Sequence, residues 1–257
     1  MDDRSAQLLA VDYRTAQMAW QADYLSRFYN PAEGFIDGTQ QFLQLCAAFS
    51  PVGGRILEVG AGPSNPTSRF LATLGELHGI DPDPEVRSND ALKTAEVLSG
   101  HAYPYPDAHF DACVSNYVCE HIDDPRTHLA EVRRILRPNG CYIFRTPNRF
   151  HYVSIASSLT PQWFHEMVAN RLRDLPVGAH DPYPTHYRFN SRWRVTRLAH
   201  DAGFAVKVLK LVETEPSYGM SSRLLFLAFT AYERAVNLTE MLADLRANLF
   251  VVLQRPT

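Results

Sequence analysis

The stretch Ile56–Pro66, "ILEVGAGPSNP", decides the fold. An apolar run holding one acidic residue, Glu58, passes directly into Gly60, Ala61 and Gly62. This is the pattern of a buried strand stopped by a tight turn whose backbone N–H groups face a ligand, usually a nucleotide. Two nucleotide classes fail at named residues. The dinucleotide fingerprint GxGxxG needs a third glycine where Asn65 stands, and a phosphate loop needs Gly-Lys followed by Ser or Thr, whereas the first lysine in the chain is Lys93.

What remains is a turn that offers N–H groups without being built for a pyrophosphate, with a carboxylate two residues ahead of it. A ligand carrying its own ammonium and carboxylate suits Glu58 and those N–H groups together. Asp81 follows Gly62 by 19 positions and ends the second apolar run, where an acidic side chain accepts hydrogen bonds from ribose hydroxyls. An amino acid joined to a nucleoside is S-adenosylmethionine.

Outward from this turn, strands are expected at 55–60, 76–81, 95–100, 110–116 and 140–147, with helices at 66–74, 84–93 and 125–136, the last closed by "RPNG". Alternation of this kind implies right-handed crossovers on a parallel sheet, which binds ligands at the carboxyl ends of its strands. Two further apolar runs, 205–213 and 248–256, read as closing strands joined by a helix around 221–246. Asn190 or Ser191 can cap a helix that Gly203 ends. Residues 1–50 read as a helical lid broken by "NPAEGF" (30–35), and 51–257 as the core. Within the core, 151–190 departs from the alternation and is rich in His, Tyr, Trp, Phe and Pro, as expected of a substrate-binding insertion.

The ordered series "ILEVGAGP", "LHGIDPDPEV", "YPYPDAHFDACVSNYVCEHIDDP" and "EVRRILRPNGCYIFRTPN" resembles the motifs of class I S-adenosylmethionine-dependent methyltransferases. It is similar in kind to the bacterial small-molecule group that includes the ubiquinone and menaquinone C-methyltransferases. The resemblance implies an α/β Rossmann-like seven-stranded sheet of order 3-2-1-4-5-7-6, its last strand antiparallel, flanked by helices. It implies that Glu58, Gly60, Ala61 and Gly62 serve the methionine portion, that Asp81 holds the ribose, and that Pro82 lies beside the adenine. Asn116 and Tyr117 flank the transferable methyl. Many relatives place an Asp before an "LPF"-like motif to meet the adenine amino group. Aligning "YPY" with that motif leaves Ser99, Gly100 or His101 for the contact.

Methyl transfer needs a positioned nucleophile and, where that nucleophile must lose a proton, one base. His121, in "CEHIDDP", is the first candidate, with His165 and His186 as alternatives; the plainer reading of Glu120-His121 is a helix start. Tyr13, Trp20, Tyr152, Trp163 and Tyr187 are the candidate acceptor contacts. An aromatic subdomain filling its own small core is the competing account of the insertion. His165, Glu166, His180, Asp181 and His186 lack a recognised metal-ligand spacing, so no metal is expected. Arg188, Arg192, Arg194 and Arg197 read as a solvated helix face.

Composition sets outer bounds. With 46% hydrophobic and 21% charged residues and a formal charge of -3, the 257-residue chain reads as globular and lacks the basic excess of a nucleic-acid binder. Its four cysteines form no CxxC pair, and no apolar stretch is long enough to span a bilayer. A cytoplasmic location is expected. The expected partner is a small-molecule acceptor, with no stable membrane insertion; the apolar face of "RLLFLAFTAYERAVN" leaves a homodimer contact open. The expected activity is therefore transfer of a methyl from S-adenosylmethionine to an O, N or C nucleophile of a secondary metabolite, sugar or quinone-like molecule, leaving S-adenosylhomocysteine. A noncatalytic S-adenosylmethionine-binding regulator is the alternative, and a dinucleotide-dependent oxidoreductase the weaker one.

Overall fold

The computed structural model describes residues 19–159, 183–216 and 219–257. Seven strands form one sheet in the order β3-β2-β1-β4-β5-β7-β6. They are β1 (Arg55–Val59), β2 (Glu76–Asp81), β3 (Thr94–Val97), β4 (Phe110–Asn116), β5 (Leu136–Pro147), β6 (Ala205–Val212) and β7 (Asn248–Gln254). The first five pair in parallel, and β7 runs antiparallel to both β5 and β6. This is the sheet expected from the motif series. Strands β1, β4 and β7 are nearly continuous apolar runs because helices cover both faces.

On one face lie α1 (Gly38–Phe49) and α2 (Pro66–Leu74). Phe42, Cys46 and Leu71 from these helices pack with Ile56, Leu77, Val114 and Phe250 of the strands. The opposite face carries α3 (Pro125–Ile135) and α5 (Arg192–Asp201), with α4 (Tyr152–Leu159) between them in sequence. Leu129, Val132, Val195 and Leu198 pack there on Leu57, Cys113, Tyr142 and Phe144. Of the segment read as a lid, α1 is thus a layer of the core. The preceding helix, at 19–28, sets Trp20, Tyr24 and Phe28 around Phe226 of α6 (Arg223–Asn237).

Two expected helices are shorter than their patterns suggest. Only Pro84–Ser88 is helical, as a 3-10 turn, within the expected 84–93. Asn89 ends it because its buried amide donates to the carbonyls of Gly62 and Pro63 and to Ser68 Oγ, which requires an extended backbone at that position. The 221–246 helix divides into α6 and a 3-10 turn, Glu240–Leu245, which Thr239 caps. Ser191, not Asn190, caps α5; the Asn190 side chain donates to Thr146 Oγ1 at 2.6 Å and to Pro147 O at 3.0 Å.

Candidate active site

Two cavities open along the carboxyl edge of the sheet, and Tyr117 and His121 line both. The first, about 400 Å³, lies where strand order reverses between β1 and β4, the place at which open α/β sheets take ligands. Gly60, Asp81, Pro82, Gly100, His101, Asn116 and Tyr117 line it, as do Val59, Ile80, Leu98 and Val118, which the motif reading missed. Their signal was present: each is an apolar residue at a strand end or beside a motif position.

The turn that floors this cavity is tightly specified. Gly60 has φ +72°, and a Cβ there would fall 2.3 Å from Val118 Cγ2. The Gly62 N–H donates to Asp81 Oδ2 at 3.0 Å, while Asp81 Oδ1 accepts from the Asp83 N–H at 2.8 Å. Asp81 therefore ties the β1 turn to the end of β2 while lining the cavity. Asn65 occupies the missing glycine position as the N-cap of α2: its Oδ1 accepts from Ser68 N, and its amide donates to Ala61 O and Ser68 Oγ.

Glu58 lies beneath the turn. It is 2% exposed, does not line the cavity, and accepts a 2.6 Å hydrogen bond from Ser68 Oγ. Burial pushes its carboxyl up to about 7, the Ser68 bond opposes this, and the Asp81 charge adds to it. Ala61 is likewise buried, with its N–H directed to Ile80 O. Ser99 is exposed and does not line the cavity.

The second cavity, about 440 Å³, lies between the start of α1, the end of β5, the segment after β6 and the 183–187 segment. Tyr152 and Tyr187, two of the candidate acceptor contacts, line it. Arg145, His151, Glu213 and Glu215 line it as well and were not singled out in the sequence, as does Glu120, which was read as a helix start and lies in the 3-10 turn Cys119–His121. Charged residues at the ends of β5 and β6 were the available sign. Arg145 reaches the cavity from β5, with its guanidinium carbon 4.5 Å from the Tyr117 ring centre and 5.1 Å from that of Phe42. Its Nε donates to Asn116 Oδ1, and Asn116 donates to Thr67 Oγ1 at 3.1 Å. Tyr117 and Tyr187 both have left-handed backbones, φ +58° and +50°, a conformation that non-glycine residues hold only when surrounding contacts fix it.

The histidines separate. His121 donates from Nδ1 to Pro184 O at 3.1 Å, because a carbonyl only accepts. His186 is exposed and lines neither cavity, and its N–H donates to Glu120 O. Trp20 also lines neither cavity, packing instead on Tyr24 and Phe226. His165, Trp163 and Tyr13 lie outside the described residues. Among the described residues no cluster of His, Cys, Asp and Glu could hold a metal ion, and no helix is long and apolar enough to cross a membrane.

The family described as a methyltransferase domain matches residues 57–144, from within β1 to within β5. An uncharacterized methyltransferase of Mycobacterium sp. strain KMS is 34% identical over 103 residues, covering 38% of this chain and 40% of that protein. One from Mycolicibacterium vanbaalenii is 35% identical over 157 residues, covering 56% and 62%. The chain thus spans about two fifths to three fifths of the length of these relatives. Among solved structures, a complex of a Haloferax volcanii methyltransferase activator with its partner contains a chain that superposes with a TM-score of 0.55. That likeness has 17% identity and covers 94% of this chain and 96% of that one; it concerns the fold. The 57–144 segment is a methyltransferase domain on a sheet of the class I type.

Proposed function

We propose that this chain is an S-adenosylmethionine-dependent methyltransferase acting on a small-molecule acceptor held in the second cavity. The observation that carries the reading is the shared wall. A donor-sized crevice at the topological switch point meets a second open cavity at Tyr117 and His121. A noncatalytic donor-binding protein would be expected to fill the space beside Tyr117. Here that space is a cavity.

The residues fit the donor. Gly60 suits the methionine portion, Asp81 the ribose, Pro82 with Gly100 and His101 the adenine, and Asn116 with Tyr117 the methyl end. Gly62 and Ala61 lie behind the wall, and the N–H groups of all three turn residues are taken by Ile80 O and Asp81 Oδ2 rather than turned to the ligand. Glu58 acts one layer down, holding Ser68 and through it the turn. When bound, the donor supplies an electrophilic methyl whose bonding pair stays on sulfur as the acceptor's own electron pair takes the carbon. The chain supplies position, since Asn116 is held by Thr67 and Arg145, and Tyr117 donates to Asn248 Oδ1 at 3.2 Å. For an oxygen or nitrogen acceptor, His121, which lines both cavities, is the side chain placed to take the released proton; a carbon acceptor that is already activated needs less help.

Calorimetry with S-adenosylmethionine, S-adenosylhomocysteine and NADH tests the reading. Both adenosyl ligands are expected to bind and NADH is not. Failure of both adenosyl ligands to bind would sink it. Asp81→Ala removes charge-assisted hydrogen bonds worth roughly 1.5–3 kcal/mol each, so donor affinity should fall about tenfold or more. Equal affinity in that variant would remove the ribose assignment.

A further inference from the structure

Arg145 is a buried cation that the chain leaves without an ion-pair partner. It is 5% exposed and reaches the second cavity from β5. A guanidinium has five N–H donors. Here Nε donates to Asn116 Oδ1 and Nη2 to Thr39 Oγ1 at 3.2 Å, while the group lies over the rings of Phe42 and Tyr117. Nη1 donates to no acceptor among the described residues, and no carboxylate there forms an ion pair with it. Charges taken out of water are normally paired, because their lost hydration must be replaced.

The Nη1 edge lies against the start of α1. A Cβ added at Gly38 would stand 3.8 Å from Nη1 and 3.4 Å from Thr214, and Gly38 lines the same cavity. The first four N–H groups of a helix have no intrahelical acceptor. The Asp37 carboxylate takes those of Thr39 and Gln40, and the Asp37 carbonyl takes that of Gln41, which leaves the Gly38 N–H. A backbone donor therefore sits beside the guanidinium, and the absent side chain keeps the approach to both open.

The carboxyls of this cavity do not supply the missing charge. Burial pushes Glu213 up to about 8, and it pushes Glu215 up as well, against the opposing pull of Arg145 itself. Glu213 is thus mainly protonated at neutral pH. Glu215 Oε2 is buried without a hydrogen-bond partner among the described residues, and Glu120 accepts from Thr146 Oγ1 at 2.9 Å.

We infer that the acceptor is a small molecule bearing a carboxylate, which Arg145 Nη1 and the Gly38 N–H receive together at the α1 end of the second cavity. A carboxylate only accepts hydrogen bonds, so it matches two neighbouring N–H donors and the buried positive charge. An ammonium would bring donors to a group that itself only donates. The carboxylate is a recognition handle. The word acceptor rests on the methyltransferase reading, whereas the charge preference of the cavity does not.

The test separates the two. Triplets of carboxylate, primary carboxamide and amine on phenyl, indole and hexyl frames are titrated against the whole protein by ligand-observed NMR, with S-adenosylmethionine in parallel by calorimetry. Carboxylates are expected to bind at least about tenfold more tightly than their carboxamides. Gly38→Asp sets one of the chain's own carboxylates beside Nη1, at a helix position that favours an acidic residue. In that variant the carboxylate-to-carboxamide ratio should fall to near one, with donor affinity within twofold of the parent. In Arg145→Gln the same ratio should fall to near one, whatever the change does to the donor through Asn116. Equal binding of carboxylate and carboxamide in the parent, preference for the amine, absence of any bound carboxylate, or a preference that survives in either variant overturns the inference. Absence of donor binding in the parent overturns the methyltransferase reading instead and leaves the carboxylate preference to stand on its own.

Discussion

Glu58 shows how a motif residue acts without touching a ligand cavity. A carboxyl whose folded value exceeds its unfolded one binds its proton more tightly in the folded state. Its share of stability is complete below about 4.5 and is lost as pH rises to about 7. Glu58→Gln fixes the neutral form and keeps an oxygen to accept from Ser68. By the linkage between pKa and stability, the variant should match the parent near pH 4 and exceed it by up to roughly 3 kcal/mol at pH 8. Urea unfolding at the two pH values measures this, and an equal gap at both would remove the account. Gly60 gives the opposite outcome. Its positive φ and the 2.3 Å approach to Val118 predict that Gly60→Ala destabilises by about 2 kcal/mol or more and weakens donor binding, because Val118 is itself a cavity wall.

At the scale of elements, α2 begins where the dinucleotide fingerprint would place its third glycine. Asn65 there does two things at once, capping the helix through Ser68 N and stapling the turn through Ala61 O. Asn65→Ala is expected to cost about 1 kcal/mol for the cap, read as a lower thermal midpoint, and to weaken donor binding because the turn loses its staple. Asn65→Gly, which restores the fingerprint, should cost less as a cap yet still lose the staple. If Asn65→Ala left donor affinity unchanged, the turn would be held by Asn89 and Ser68 alone. The strands and helices of this half were legible because each carries its own periodic pattern and end signal. The 84–93 helix was not, because the competing interaction is a hydrogen bond from Asn89 to a turn some 27 residues away.

For the molecule as a whole, β5 joins the strands that edge the first cavity to the wall of the second. Phe144 is fully buried, with its ring 4.8 Å from that of Tyr142 and 5.1 Å from that of Phe189. Phe189 lies two residues beyond Tyr187, a wall of the second cavity. Phe144→Ala should cost about 3–5 kcal/mol, lower the melting midpoint by roughly 10 °C, and loosen the 183–191 segment enough to reduce ligand binding in the second cavity more than donor binding. Equal losses at the two cavities would show that Phe144 supports the sheet as a unit.

What the sequence determined by itself was the alternation of strands and helices and the place of the glycine turn, which rest on local signals, apolar runs of strand length and a turn only glycine fits. The strand order came from the resemblance of the ordered motif series to class I methyltransferases, and the sheet has that order. The second cavity was decided only by tertiary structure. Glu120, Arg145, His151, Glu213 and Glu215 come from four separate segments of the chain, and no spacing announces them. They line one cavity because antiparallel β7 inserts between β5 and β6, bringing the ends of distant strands to one edge.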